Sequence, residues 1–597
     1  MKPRQLPWKW LLAGLVVIVI TGLGLLLSHQ LGAPSELRDR VAASVSDWTG
    51  GSVTLTEPLH VRYFPPSLRS GIVLSNATKL PAIRTITAPD FKVTLDFPEL
   101  LMGRIKLDAL RLGKPVITLK ESSGNGEATQ PFAALLATAL TDTPIEAVRI
   151  RRGTIKKASG KRLIDKLDVR LKARGRSGAL RALGSFDFND EPVAFSVDSG
   201  KITEADAGKA APVTLKITSE PATVRFSGTV QAAEGLEGNG EMEAALPDAR
   251  RFLNWVGLGL PDGDSLKNFA ASGTVHWSDS TLTFDDGTFE LDGNQAVGLF
   301  ALTMRARPRV EGTLAFETLV LDPYLGGGET VAAEAPFFGW ALLNHFDADL
   351  RISAGEMSAA GWELGRGGFT INAKAGQVSG EVGELDLCGG QAAGRLGLDL
   401  SGTRNEASIV GTLSDIAIET CLEPFALGIP LTGVGTLKLD VSTGGTTRDQ
   451  LVRGLTGEID VTARNGSVPI NFSELAARSG SDEDGWSRDG STAFTSLDAD
   501  CSLAAGHLWC RAFHMQTLKG LVSGSGGMDL AQQTLDWDFL IADPVAPLDA
   551  SQLVMETPPR VTLHGSLSEP QIQRANRPTL GEGPPKITPE STSAAPR

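Results

Sequence analysis

Residues 435–445 read GTLKLDVSTGG, and within them Leu437, Leu439 and Val441 alternate strictly with Lys438, Asp440 and Ser442. A period of two puts the apolar side chains on one face of an extended strand and the polar ones on the other. The glycine pair that follows is a turn signal. Val213, Leu215 and Ile217 repeat the pattern, as do Phe369, Ile371 and Ala373, and then Leu396, Leu398 and Leu400. Near the end of the chain Leu535, Trp537 and Phe539 alternate with Asp536 and Asp538. One apolar and one polar face is the pattern of antiparallel sheet with one solvated side.

Composition points the same way: 67 glycines and 33 prolines stand among 597 residues, with two tyrosines and no long helical period. At ~12–16 residues per strand and turn, about 35–45 strands are expected, and laid flat they would span ~170–210 Å. Open twisted sheets rarely pass ~10 strands without curling or splitting. The expected fold is therefore mainly β, an elongated curled antiparallel sheet forming a groove or trough, with a few short capping helices. Leu37, Val41, Val45 and Trp48 form one stripe of such a helix, stopped by Gly50 and Gly51. Further short helices are expected at Pro131–Leu140, Asp248–Val256, Pro336–His345, Thr446–Leu455 and Phe472–Arg478.

The N-terminus carries an uncharged apolar run of 18 residues from Trp10 to Leu27, including Leu11, Val16 and Ile20. As a helix it would span ~27 Å, close to the hydrocarbon thickness of a bilayer. Ser28, His29, Gln30 and Leu31 follow without a small-x-small cleavage pattern, which favours a retained anchor over a cleaved signal. Lys2, Arg4 and Lys9 precede the run and orient the N-terminus to the cytoplasm, so the bulk of the chain is expected across the membrane.

A net charge of −14 argues against a nucleic-acid partner. Against that background the interval Arg149–Arg181 is unusual, with 13 Lys or Arg and two acids, Asp165 and Asp168. It carries +11 and leaves −25 for the rest. Two readings stand: a solvated outer strand face, or contact with anionic head groups.

Four cysteines allow one or two bridges in an oxidising compartment. The stretch LDADCSLAAGHLWC reads as a hairpin around Ala505–Gly506, which pairs Ala504 with His507, Leu503 with Leu508, Ser502 with Trp509 and Cys501 with Cys510. Opposed residues at a non-hydrogen-bonded position lie close enough for a disulfide. Metal binding by Cys501, His507, Cys510 and His514 is the competing reading, but strand alternation points His507 and Cys510 to opposite faces. Pairing of Cys388 with Cys421 stays open. Acidic Ser481–Gly490 lacks the spacing of a calcium loop. No His-Glu-x-x-His, Gly-x-Ser-x-Gly or phosphate-binding glycine loop occurs, so neither an enzyme nor a cofactor is expected.

Several segments together resemble the AsmA family of envelope proteins. WTGGSVTLTEPLHVRYFPPSLRSGIVLSNA (48–77) and LDFPELLMGRIKLDALRLGKPVITLK (95–120) follow the anchor in the family's order, with Phe64-Pro65 and Pro115-Val116-Ile117 at matching points. LTGVGTLKLDVSTGGTTRDQLVRGLTGEIDVTARNGSV (431–468) and LHGSLSEPQIQ (563–573) are similar to its C-terminal part. The sequence departs after Gly466, where Val468-Pro469-Ile470-Asn471-Phe472 replaces a Gly-Ile-Asp-like continuation. The resemblance implies an inner-membrane anchor, a periplasmic β-rich body and a part in outer-membrane lipid homeostasis. Its partners would be phospholipid or another acyl lipid, the inner membrane, and outer-membrane or periplasmic proteins.

The division expected is a cytoplasmic N-terminus and anchor (1–28), an N-terminal β region (29–330), a C-terminal β region (331–574) and a disordered tail (575–597). The function expected is shielding or transfer of phospholipid between the two membranes. Each exposed methylene costs ~0.8 kcal/mol in water, so an acyl chain of about fifteen costs on the order of 12 kcal/mol, which an apolar lining would offset. Leu396, Leu398, Leu437, Leu439, Val441, Leu535, Trp537 and Phe539 are the candidate lipid-facing residues. The alternative is an assembly factor for outer-membrane biogenesis, with the same faces forming a filled core.

Overall fold

The computed structural model describes residues 34–80, 82–102, 104–120, 146–174, 179–201, 210–232, 236–260, 263, 265–278, 280–305, 307–324, 346–402, 404–425, 431–472, 490–542, 560–566 and 570–575. The protein is mainly β, with 29 strands and a few short helices among these residues. Strands such as Arg162–Arg174, Thr432–Gly444 and Thr492–Ala504 run 13 residues each. The expectation of about 35–45 strands is for the whole chain; among the described residues the spacing is about one strand per 15 residues, as expected. Among the described residues no helix is long and apolar enough to cross a membrane. The run Trp10–Leu27, the helices expected at Pro131–Leu140 and Pro336–His345, and the tail beyond Ala575 lie outside them. So do the acidic loop up to its final Gly490 and the Phe472–Arg478 helix beyond its first residue.

The chain forms two compact units: Met1–Gly326 with Phe338–Met357 and Gly368–Val378, and Gly327–Phe337 with Ser358–Gly367 and Ser379–Arg597. The first begins with helix Pro34–Thr49. Its Leu37, Val41 and Val45 are buried against Leu55, Leu68, Ile72, Phe91 and Val93 of the first strands, as the stripe in the sequence implies. Gly50 ends the helix at φ +65°, a conformation in which a Cβ is strained. Strands Ser52–Tyr63, Pro66–Ser75 and Ile83–Leu95 then pair antiparallel in sequence order.

Strands Leu107–Gly113 and Val116–Leu119 depart from the antiparallel expectation, because both pair in parallel with Ala147–Lys156. A parallel pair needs a crossover of a dozen or more residues, and the chain between Leu119 and Ala147 has that length. From Ala147 to Val320 every successive pairing is antiparallel.

The core of this stretch is the sheet's own apolar face. Ala182, Val197, Leu215, Phe226 and Met242 oppose one another from strand to strand, and directly opposed residues share a face. The rings of Phe226 and Trp277 lie 4.9 Å apart although strand Leu236–Leu246 runs between their own strands. That strand carries Gly238 and Gly240 on the shared face, leaving room for the rings to meet above it. A Cβ on Gly238 would fall 2.7 Å from the indole of Trp277. The short helix Ala249–Trp255, capped by Asp248, is fixed by the Trp255 indole N–H donating to the Phe188 carbonyl at 2.7 Å.

In the second unit ten strands from Gly390–Asp399 to Pro570–Ala575 pair antiparallel in sequence order. Helix Arg448–Arg453 interrupts them where the sequence suggests, its N-terminus capped by the Thr447 hydroxyl accepting from the Gln450 N–H. The glycine device recurs here. Phe513 meets Trp537 at 5.8 Å and Phe539 at 5.5 Å across the strand that bears Gly524 and Gly526.

Gly238→Val should therefore destabilise the protein by about 1–3 kcal/mol through overpacking. Adding Trp277→Ala should recover part of that loss, although Trp277→Ala alone destabilises. Urea denaturation followed by far-ultraviolet circular dichroism, run as a double-mutant cycle, checks the coupling.

Candidate functional site

Strand register in the second unit assembles the alternating residues into rows that cross the sheet. Leu396 opposes Ile409, which opposes Val441. In the neighbouring row Leu439 opposes Ile459, Ile459 opposes Cys501, and Cys501 opposes Cys510. The third runs from Leu413 through Leu437, Val461 and Ala499 to Phe513, and resumes beyond Gly524 at Phe539 and Val561. The opposite face presents Lys438, Asp440, Glu458, Asp460, Asp500 and Asp536, all exposed.

Burial along this apolar face is graded. Ile409 is 48 % exposed and Leu396 39 %, whereas Phe539 and Val561 are 5 % and 1 % exposed. Leu437, Leu439, Val441, Leu535 and Trp537 are half-buried between these limits, and Leu398 is buried opposite Ala407. The buried part is closed by Phe472, whose ring meets Phe539 edge-on at 5.2 Å, with Ile470, Ile418 and Leu431 packed on the same cluster. Phe472 is held in place by its N–H, which donates to the Thr492 hydroxyl at 3.0 Å. The segment Val468–Phe472 thus supplies the plug.

All eight candidate lipid-facing residues belong to this one face, but they are not equivalent: some are open and some are core. Ile409, the most exposed of the row residues, was not among the candidates. Its segment, Ser408-Ile409-Val410, breaks strict alternation, and Val410 is exposed on the other face, so register alone assigns it. The anchor candidates Trp10, Leu11, Val16, Ile20 and Leu27 lie outside the described residues.

The cysteine hairpin has the register the sequence suggests, with Ala504 opposite His507 and Cys501 opposite Cys510, and the two cysteines form a disulfide. The bridge lies on the apolar face among Ile459, Val461, Leu508 and Phe513. His507 turns away toward Asp529, with its Nε2 3.6 Å from that carboxylate. Among the described residues no group of three or more His, Cys, Asp or Glu could hold a metal ion. Cys388 and Cys421 are also bridged, with Cα atoms 5.4 Å apart. Gln391 opposes Ser414, which carries the turn at Cys388 to the start of helix Ile418–Leu422, and the Ala417 N–H donates to the Cys388 carbonyl at 2.8 Å.

Residues 327–512 match the model of the AsmA family. The match contains the open rows, both disulfides and, of the four segments that resemble the family, 431–468. No curated protein matches the chain.

Replacing Cys501 and Cys510 by Ser should lower stability by about 2–3 kcal/mol, and replacing Cys388 and Cys421 by somewhat more, because that bridge closes the longer loop. Urea midpoints of the two double variants check the order. Alkylation of the unfolded wild-type protein without reductant should label no thiol if both bridges form.

Proposed function

We propose that this protein is an envelope lipid carrier whose apolar β face shields acyl chains between an inner-membrane anchor and the outer membrane. The observation that supports it best is the exposure gradient: Ile409 and Leu396 stand open at one margin of rows that are otherwise half-buried or buried. An acyl chain laid on those rows would lose contact with water along its length. The polar, acidic face behind would stay solvated. The AsmA family match over residues 327–512 is consistent with such a role in the envelope. The run Trp10–Leu27 and the cations before it support the anchor and the periplasmic placement. The face itself requires no reaction; its work is desolvation.

A second reading, a scaffold for outer-membrane assembly, draws on the other end of the gradient, where Phe472, Met515, Val522 and Val561 form a filled core. The two readings part at the open margin. If lipid rests there, native mass spectrometry of the full-length protein in mild detergent should show co-purified phospholipid. Ile409→Glu should then remove most of it, at least about tenfold in occupancy, while costing under about 1.5 kcal/mol of stability because the side chain is half-exposed already. A lipid-free wild-type protein would favour the scaffold.

A further inference from the structure

The parallel pairing in the first unit brings together cations that are far apart in sequence. Lys92 opposes Arg111, Arg111 opposes Arg149, and Arg149 opposes Arg170, so four consecutive strands carry a cation at the same level of one face. Lys172 stands one step along, opposite Ala147. Ala147 and its own opposite, Ala109, are small, and the long side chains around them enclose a hollow of about 310 Å³. The ends of the ladder are neutralised: Arg69 pairs with Asp90 at 2.7 Å and Arg181 with Asp198 at 2.5 Å. Among the described residues none of the five cations at the hollow has an ion-pair partner.

Like charges placed directly opposite one another oppose folding, so a sheet gains nothing from this row as structure. The Arg149 guanidinium is held below its ordinary range by desolvation, then by Arg170, Arg111 and Arg151, with Asp168 acting more weakly the other way. Asp168, two residues from Arg170 on the same strand, offsets the row only in part.

We propose that this hollow binds the phosphodiester head group of an anionic phospholipid at the membrane surface. Arginine forks suit phosphate oxygens, and the small floor residues leave space for a glycerol-sized substituent. The location favours a bilayer over a free anion. Leu110, Leu112, Val148 and Ile150, on the reverse side of the same strands, belong to the core packed under helix Pro34–Thr49. That helix starts seven residues after Leu27, a tether of at most ~25 Å. The −25 carried by the rest of the chain disfavours an extended polyanion such as nucleic acid. The bilayer placement rests on the anchored reading given above; the hollow's affinity for a head group does not.

The test uses the full-length protein in neutral maltoside micelles, with calorimetry against dihexanoyl phosphatidylglycerol, dihexanoyl phosphatidylcholine and inorganic phosphate. The anionic lipid should bind at least tenfold more tightly than either of the others, and more weakly as salt rises. Arg111→Gln with Arg149→Gln should weaken it at least tenfold, with a melting temperature no lower than wild type because a repulsive pair is gone. Lys92→Gln with Arg170→Gln, on the flanking strands, is a second variant expected to act alike. Binding unchanged in both variants, or equal for the two lipids, would overturn the proposal. Inorganic phosphate binding as tightly as the lipid would replace the head group with a free anion. Ile409→Glu separates this site from the apolar face. It should leave the anionic preference intact even where co-purified lipid is lost, and loss of both would place the anion on the apolar face instead.

Discussion

The constraint on which the structure depends is register. Because side chains alternate with a period of exactly two, a slip of one residue on any strand would turn its apolar set to water and its charges to the core. In the second unit the ladders hold Leu439 against Ile459 and Ile459 against Cys501, while Asp440 faces Glu458 on the other side. Disulfides reinforce this at two points. Cys501–Cys510 pins one hairpin, and Cys388–Cys421 ties a turn to the helix that follows two strands later. The resulting face is continuous across strands although no single strand contributes more than a few residues to it.

Register also builds the cationic hollow, through the parallel pairing that sets Arg111 beside Arg149. The two functional proposals thus use opposite chemistries on opposite kinds of face. One depends on apolar side chains left partly uncovered at Leu396 and Ile409. The other depends on positive charges that have no ion-pair partner among the described residues, in a chain that has a surplus of acids. Neither feature lowers the energy of the isolated protein; under the two proposals an acyl tail would relieve the first and an anionic head group the second.

Much of the architecture was legible in local pattern. The stripe Leu37, Val41, Val45 marked a buried helix, and Asp248 and Thr447 sit where helix caps belong. The Cys501–Cys510 hairpin was legible because a two-residue turn fixes register over its few flanking residues. What was not legible is nonlocal. Nothing near Cys388 names Cys421, since their approach depends on the pairing of two intervening strands. Helix Phe97–Leu101 is too short to show a period. The basic run Arg149–Arg181 was visible as composition, yet the hollow takes Lys92 and Arg111 from outside it, across a parallel ladder that alternation cannot reveal. The lining looked uniform because alternation reports which face a residue occupies, not what covers that face.

The glycine-bearing strands carry a consequence for how the chain assembles. At Gly238 and Gly240, or Gly524 and Gly526, a strand offers its neighbours no side chain on the inner face, although Met242 and Val522 of the same strands still pack there. The reward arrives when the third strand docks and its aromatic ring reaches over to the first. At these places the ring contact therefore couples three strands rather than two, and a change in the middle strand is felt by both its neighbours.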